Sequence, residues 1–544
     1  MKEKMMKRVE GNNRIEPDGR IREIMFLMSL AAISMAVFLL AGADSYILFD
    51  DSGSYLNMER YVEGVMPLYP LFLRMNRILF GEAVYLQAVV VEQAVFACAC
   101  LIVFTNLVRR QFGLGFPESY VIFFLSFLPF TTDMPVAMTT QEIVTEGIAY
   151  AAFYLFMAVV LKAVWEKRIR YIIILFLITL LLAATRSQLQ ILFGICGIIF
   201  FYVALAGKWG NGRENGNSGR RLLLRLLTGA AGCLVIGLVG VWCTSRISIV
   251  YQQELARYTR RLESSKGSVE NAESASGDME KGTETAEDNS PSAEAAEDNG
   301  SEREVEQAAV AGQYTSLIFS RGMYEAEYED YQLFEDEGLQ ELYLYLYEAA
   351  DRAECRYIYA RPGLWMWKDI VGGIGSVGVE CFYAQNEYYR SRPEIAQSRE
   401  YANIRNANQM TIGITLIKAH LGRLLYHTVM LLPQAFICTV FFQIARFYLL
   451  CHIITLILYL SAIALMIWAY ADKKAERAYA EFMSAVLGTN LLMILVISFV
   501  FFGQQRYLVY DFGIFYMAYF LLLLQWWKLY GKNWLMKWID RRKS

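Results

Sequence analysis

Long apolar runs separated by short clusters of charge set the pattern of this chain. Ile24–Gly42, Val84–Val108, Glu142–Val164, Leu189–Ala206, a run ending near Cys243, Phe447–Tyr470, Ala478–Phe502 and Leu508–Leu529 are each of a length to cross, or nearly cross, a hydrocarbon core as a helix. Ser119–Phe130 and Tyr171–Ala184 are shorter, and the first closes on Pro129. Short spans with broken ends border cavities, because irregular backbone at membrane depth needs protein or water around it. The pattern predicts an all-α integral membrane protein of about ten transmembrane helices.

Polar stretches divide this bundle into five regions. Residues 1–23 form a basic arm with Lys2, Lys4, Lys7, Arg8, Arg14, Arg20 and Arg22, expected in the cytosol. Residues 24–243 form an N-terminal transmembrane module, and 244–446 a long excursion on the far side of the membrane. Within the excursion, Glu263–Gln307 is a Ser, Glu, Ala and Gly run that cannot bury enough apolar area to offset its ordering entropy, so it is expected to be disordered. After Tyr314 the chain reads as a small, mostly helical outer domain. Leu339-Gln340-Glu341-Leu342-Tyr343-Leu344-Tyr345-Leu346-Tyr347 is expected to be a helix with aromatic sides, and Gly372-Gly373-Ile374-Gly375 a turn. Thr428–Phe442 is apolar enough to suggest another crossing. If it crossed, Lys473, Lys474, Arg477 and the terminal Lys528, Lys532, Lys537, Arg541, Arg542 and Lys543 would all face outward, against the positive-inside bias. Residues 411–446 are therefore expected to lie along the interface as an amphipathic helix carrying Lys418, His420, Arg423 and His427. Residues 447–530 hold the last three spans, and 531–544 a cytosolic basic tail.

Composition supports the membrane reading: 56% hydrophobic and 19% charged residues are outside the usual range for a soluble protein of this length. The net charge of -3 conceals an asymmetry, since Glu263–Gln307 alone carries fourteen acids against three bases and the remainder is basic. Nine cysteines follow no metal-binding spacing, and five of them sit inside apolar runs as small hydrophobes. Cys355 and Cys381 fall in the outer region and are the candidates for a disulfide. Three histidines, His420, His427 and His452, leave little material for a zinc hydrolase or a Ser-His-Asp triad. No phosphate-binding P-loop occurs, and the basic residues are scattered at membrane edges, which excludes a nucleic-acid surface.

Candidate chemistry gathers at the outer ends of the spans. Asp50 and Asp51 stand side by side just after the first helix, in Phe49-Asp50-Asp51-Ser52-Gly53-Ser54-Tyr55, and Gly64-Val65-Met66-Pro67-Leu68-Tyr69-Pro70-Leu71 follows. Paired acids beside apolar segments are solvated loop acids, handle a proton or a cation, or cap a helix, for which Asp51 followed by Ser52 and Ser54 is also suited. The second outer loop supplies Asp133, Glu142 and Glu146. The two glutamates are four apart on one helix face, so they repel unless a cation or donor lies between them; the competing role is to favour a helix N-terminus. Arg186 and Arg506 lie at outer span ends, where a guanidinium grips phosphate or simply reaches for headgroups.

An initial membrane helix, an acidic pair in the first outer loop, a short surface helix and a Gly…Pro-x-x-Pro return together resemble the GT-C superfamily of polytopic glycosyltransferases, the protein-mannosyltransferase and aminoarabinose-transferase type. The resemblance covers roughly Ile24–Thr185 and returns near Gln505-Arg506-Tyr507. It implies a multi-pass enzyme of the cell membrane that moves a sugar from a polyprenyl-phosphate carrier to an extracytoplasmic acceptor: a cell-envelope glycan, a lipid or a protein. Asp50 or Asp51 would be the general base, the other orienting it or holding a divalent cation through oxygen ligands. Asp133, Glu142, Glu146, Arg186, Arg506 and Tyr507 would bind substrate, with Arg506-Tyr507 at the carrier phosphate. Rival readings are a transporter or flippase of envelope precursors and a polysaccharide polymerase or ligase.

Overall fold

The computed structural model describes residues 17–40, 46–48, 52–56, 65–131, 139–206, 218–277, 315–363, 366–396, 401–441, 448–500 and 507–531. Among them all extended structure is helical apart from one isolated bridge, Ile47 to Glu142. Helices α1 (Pro17–Leu40), α2 (Ser52–Leu56), α3 (Leu68–Phe80), α4 (Tyr85–Phe112), α5 (Phe116–Leu125), α6 (Glu146–Glu166), α7 (Ile169–Thr185), α8 (Leu192–Ala206) and α9 (Ser218–Gly277) form the N-terminal half. Helices α10 (315–324), α11 (Glu337–Arg352), α12 (Met366–Arg390), α13 (Tyr401–Ala419), α14 (Leu421–Cys438), α15 (Tyr448–Ala471), α16 (Arg477–Val500) and α17 (Phe512–Trp526) follow.

Among the described residues, eight helical stretches are long and apolar enough to cross a membrane: Arg20–Phe38, Tyr85–Phe112, Glu146–Glu166, Ser187–Ala206, Leu223–Tyr251, Leu449–Ala471, Arg477–Phe499 and Val509–Gly531. The chain is a multi-pass, all-α membrane protein, and its helices satisfy their own backbone groups where no water is available. The third and fifth spans read from the sequence are the shorter apolar helices α5 and α7. Burial separates inner from outer helices. The apolar stretch of α6 is 72% buried and that of Leu223–Tyr251 in α9 only 11%, so α6 is central and this part of α9 is peripheral.

Polar contacts tie one end of the bundle together. Arg110 donates from Nε to Glu23 Oε1 at 3.1 Å, joining the start of α1 to the end of α4. Lys528 Nζ lies 3.6 Å from Glu118 Oε1, joining the segment after α17 to the start of α5. Tyr530 donates to Asp472 beyond α15, and Gln525 Nε2 donates to the Glu476 carbonyl at 3.3 Å. Ends that the charge pattern assigns to one side of the membrane therefore meet.

A second hydrophobic core, separate from that of the bundle, joins α10 to α14 through Phe319, Tyr324, Tyr343, Leu346, Ile370, Ile374 and Ile412. The Tyr-rich stretch is helix α11 as expected, capped by Asp336, whose Oδ1 accepts from Leu339 N at 2.7 Å. α14 bridges the two cores: Leu431 and Ile437 belong to the second, Ala435 and Cys438 to the bundle.

Several local expectations change. Pro67 and Pro70 open helix α3 instead of bracing a loop, because proline is tolerated in a first turn whose N–H groups have no partner anyway. The segment Glu263–Gly277, expected to be disordered, continues α9. Once a helix is nucleated each added residue costs little, and Glu, Ala and Lys favour it; residues 278–314 lie outside the described residues. Gly372-Gly373-Ile374-Gly375 is interior to α12, not a turn. A Cβ at Gly373 would stand 2.6 Å from the Tyr324 ring and 2.8 Å from the Cys355 carbonyl, so the glycine is there for close approach. The segment read as one interfacial helix is two, α13 and α14, broken at His420. Cys355 and Cys381 are buried free thiols, and burial pushes the Cys355 thiol up to about 11.

Candidate functional site

The site is built where the loop after α1 meets the loop before α6. Ile47 N donates to the Gln141 carbonyl and Ile143 N to the Ile47 carbonyl, both at 3.0 Å. Ser52 Oγ donates to the Ile143 carbonyl at 2.9 Å. Ile47 and Ser52 flank Asp50 and Asp51, so the main chain on both sides of the acidic pair is stitched to the segment carrying Glu142. Asp50 and Asp51 themselves lie outside the described residues, as do Asp133 and Arg506.

A glutamine inside a membrane helix holds this segment in place. Gln93 of α4 donates from Nε2 to the carbonyls of Thr140 and Glu142 at 3.0 and 3.1 Å and accepts from the Tyr69 hydroxyl at 3.1 Å. The contact is tight, since a Cβ at Gly147 would meet Gln93 Oε1 at 2.7 Å. Burial pushes the Tyr69 phenol up, and Tyr55, Glu146 and Glu142 add to the shift, which sets both glutamates near this hydroxyl.

Glu142 and Glu146 are both buried, but they do not share a helix face as expected: α6 begins at Glu146, and Glu142 sits in the bridge to Ile47. The donor that relieves Glu146 is Arg186, at the end of α7, which forms an ion pair with it. Arg186 also donates to Thr145 Oγ1 at 3.3 Å, and Thr145 Oγ1 donates to Glu146 Oε2 at 3.0 Å. The guanidinium lies 5.0 Å from the centre of the Tyr507 ring. A planar cation among a carboxylate, a hydroxyl and an aromatic face is held on three sides.

Tyr510, three residues on, accepts from Gln188 Nε2 at 3.4 Å and packs edge-on to Tyr150 at 4.9 Å. Asp511 beside it is fully buried, and neither carboxylate oxygen has a hydrogen-bond partner among the described residues. Glu142, Glu146, Arg186 and Tyr507 were thus marked by the sequence and meet in one place. Gln93, Tyr69, Thr145, Gln188, Tyr510 and Asp511 were not marked. The signal for Gln93 and Asp511 was a polar residue set into an apolar run, which is costly without a task or a partner. Among the described residues no three His, Cys, Asp or Glu side chains are grouped as metal ligands.

Comparison with family models, with curated proteins and with solved structures gives no match to this chain.

Proposed function

We propose that this protein is a membrane glycosyltransferase of GT-C type, moving a sugar from a polyprenyl-phosphate donor to an extracytoplasmic glycan, lipid or protein. The observation that carries the reading is the joining of the acidic pair's flanks, Ile47 and Ser52, to the segment that leads into the Glu146, Arg186 and Tyr507 cluster. Ten crossings, with α5 and α7 among them, set this cluster on the outer face of the cell membrane and the basic loops in the cytosol. The reaction then follows from charge. Asp50 or Asp51 takes the proton of the acceptor hydroxyl, the acceptor oxygen bonds the anomeric carbon, and the carbon to phosphate-oxygen bond breaks with its electron pair left on the carrier phosphate. Arg506, and Arg186 through the nitrogens that Glu146 leaves to it, neutralise that leaving phosphate.

The test is transfer by purified protein supplied with polyprenyl-phosphate sugars. Asp50→Asn and Asp51→Asn keep the shape of the loop and remove the proton acceptor; one of them is expected to lose roughly 10²- to 10⁴-fold in rate at unchanged expression. Full transfer in both single variants and in the double variant would remove the acidic pair from the chemistry. A transporter of envelope precursors is the second reading, favoured by Asp511, a buried acid at the start of an apolar helix with no hydrogen-bond partner among the described residues.

A further inference from the structure

Two of the three histidines stand at the start of α14 and face the segment 325–333. His427 Nδ1 lies 2.7 Å from Oε1 of the fully buried Glu325. Arg423, one turn before His427, places Nε 3.6 Å from the other oxygen of Glu325 and donates from Nη1 to Glu327 Oε1 at 2.7 Å. Its remaining nitrogen, Nη2, is 2.6 Å from Nδ1 of His420. The other ring nitrogen of His420, Nε2, lies 2.7 Å from Asp330 Oδ2, which also accepts from Glu327 N at 2.8 Å. The Tyr357 hydroxyl donates to Glu327 Oε1 at 3.0 Å, and its ring lies 3.9 Å from the Arg423 guanidinium. Hydrogen bonding from Arg423 holds the Glu327 carboxyl below the usual range, as a fully used guanidinium should.

This arrangement decides the protonation of His420 by donor counting. A guanidinium has only N–H donors, so Nδ1 must accept from Arg423 and the single ring proton must sit on Nε2, directed at Asp330. Only a neutral His420 fits. A proton added at Nδ1 would point at an Arg423 N–H across 2.6 Å, a donor facing a donor and a cation facing a cation. The same proton would strengthen the pair with Asp330.

We propose that His420 is the trigger of a pH-sensitive latch: the neutral imidazole accepts a hydrogen bond from Arg423, and the protonated imidazole gives it up, leaving Arg423 to Glu325 and Glu327 alone. The groups around the ring account for release without unfolding. Glu325, Glu327 and Asp330 stand on the segment 325–333, Arg423 and His427 on α14, Tyr357 in the turn at 357–359, and the buried Arg321 on α10, where it donates to Thr428 Oγ1 at 3.0 Å and faces Glu325. Tyr343 of α11 donates to the Glu327 carbonyl at 2.5 Å, and Arg356 Nη1 to the Ala326 carbonyl at 3.0 Å. Asp330 is the charged group that touches the ring at Nε2, so an imidazolium keeps Asp330 and only the Arg423 bond is lost.

The helix that carries the latch reaches the bundle at its other end. The Thr439 hydroxyl is 2.6 Å from that of Tyr459 on α15, and the Val440 carbonyl accepts from Tyr516 on α17 at 2.6 Å. Loosening of the first turns of α14 thus acts on a helix anchored among the spans. The latch does not depend on the reaction proposed above, and its test reads no transfer.

The experiment is hydrogen exchange of the full-length protein in detergent, followed in peptides covering residues 421–428 and corrected for intrinsic pH dependence. Between about pH 7.5 and about pH 5.5, on either side of the imidazole range, exchange is expected to quicken roughly tenfold, the worth of one charge-assisted hydrogen bond. His420→Gln supplies an amide oxygen for Arg423 and an N–H for Asp330 but does not titrate, so its exchange should stay slow at both pH values. Asp330→Asn removes the carboxylate that favours the imidazolium and should move the transition to lower pH, whereas His427→Gln should leave it in place. An unchanged wild-type rate, a persisting response in His420→Gln, or a response abolished only by His427→Gln would overturn the proposal.

Discussion

The Glu146 and Arg186 pair is the residue on which the site's stability and its chemistry both turn. Side chains 7% and 12% exposed have exchanged water for one another, and the desolvation cost is met only while both charges are present. Glu146→Gln is expected to destabilise the protein by about 3–5 kcal/mol, because Arg186 would be left buried beside a neutral amide. Replacing both at once, Glu146→Leu with Arg186→Met, should recover most of that loss, since apolar groups of similar volume carry no desolvation debt. Thermal unfolding in detergent compares the three; equal loss in the single and double variants would show that the pair acts by shape and not by charge. Both residues were legible as charges at span ends. That they pair with each other was not, because 40 positions separate them and only the packing of α7 against α6 closes the gap.

At the scale of the element, glycines of one short run have opposite roles. Gly373 in α12 has the Tyr324 ring and the Cys355 carbonyl where a Cβ would go, whereas Gly375 two residues on has nothing within 4 Å. Gly373→Ala should cost about 1–3 kcal/mol through overpacking, and Gly375→Ala should stabilise by about 0.5–1 kcal/mol by removing glycine from a helix interior. The difference between the two unfolding midpoints is the measurement, and equal shifts of the same sign would count against the close approach of α10 and α12. The Gly-Gly-Ile-Gly run looks like a turn because glycine permits one, and local composition does not reveal that a neighbouring helix needs the space. α3 shows the same ambiguity with proline: Pro67 and Pro70 can brace a loop or open a helix, and the buried Tyr69 and Leu73 decide for the helix.

Across the whole molecule, the contacts Glu23 to Arg110, Glu118 to Lys528 and Asp472 to Tyr530 collect helix ends on one face. The second core, with α11 and α12, attaches through the end of α14 to Tyr459 of α15 and Tyr516 of α17. If the basic face is cytosolic, a cysteine at position 473 should resist an impermeant thiol reagent applied outside intact cells, and one at the exposed Tyr328 should react. The test needs a background without the nine native cysteines. Labelling at 473 with protection at 328 would invert the topology and move the cluster around Arg186 to the other side.

What the sequence determined alone was the class of the protein and which runs are long and apolar enough to cross, because a span must be about 20 apolar residues long. Runs at Tyr85–Phe112 or Arg477–Phe499 leave little choice of structure. The tertiary structure decided which polar residues meet. Gln93 reaching two carbonyls beyond position 139, Arg186 lying on Tyr507, and His420 caught between Arg423 and Asp330 all join residues that are distant in sequence on at least one side. Hydrophobic burial is roughly proportional to area and so shows in composition, whereas a hydrogen bond or ion pair depends on distances of a few tenths of an ångström. Those distances exist only once the helices have packed.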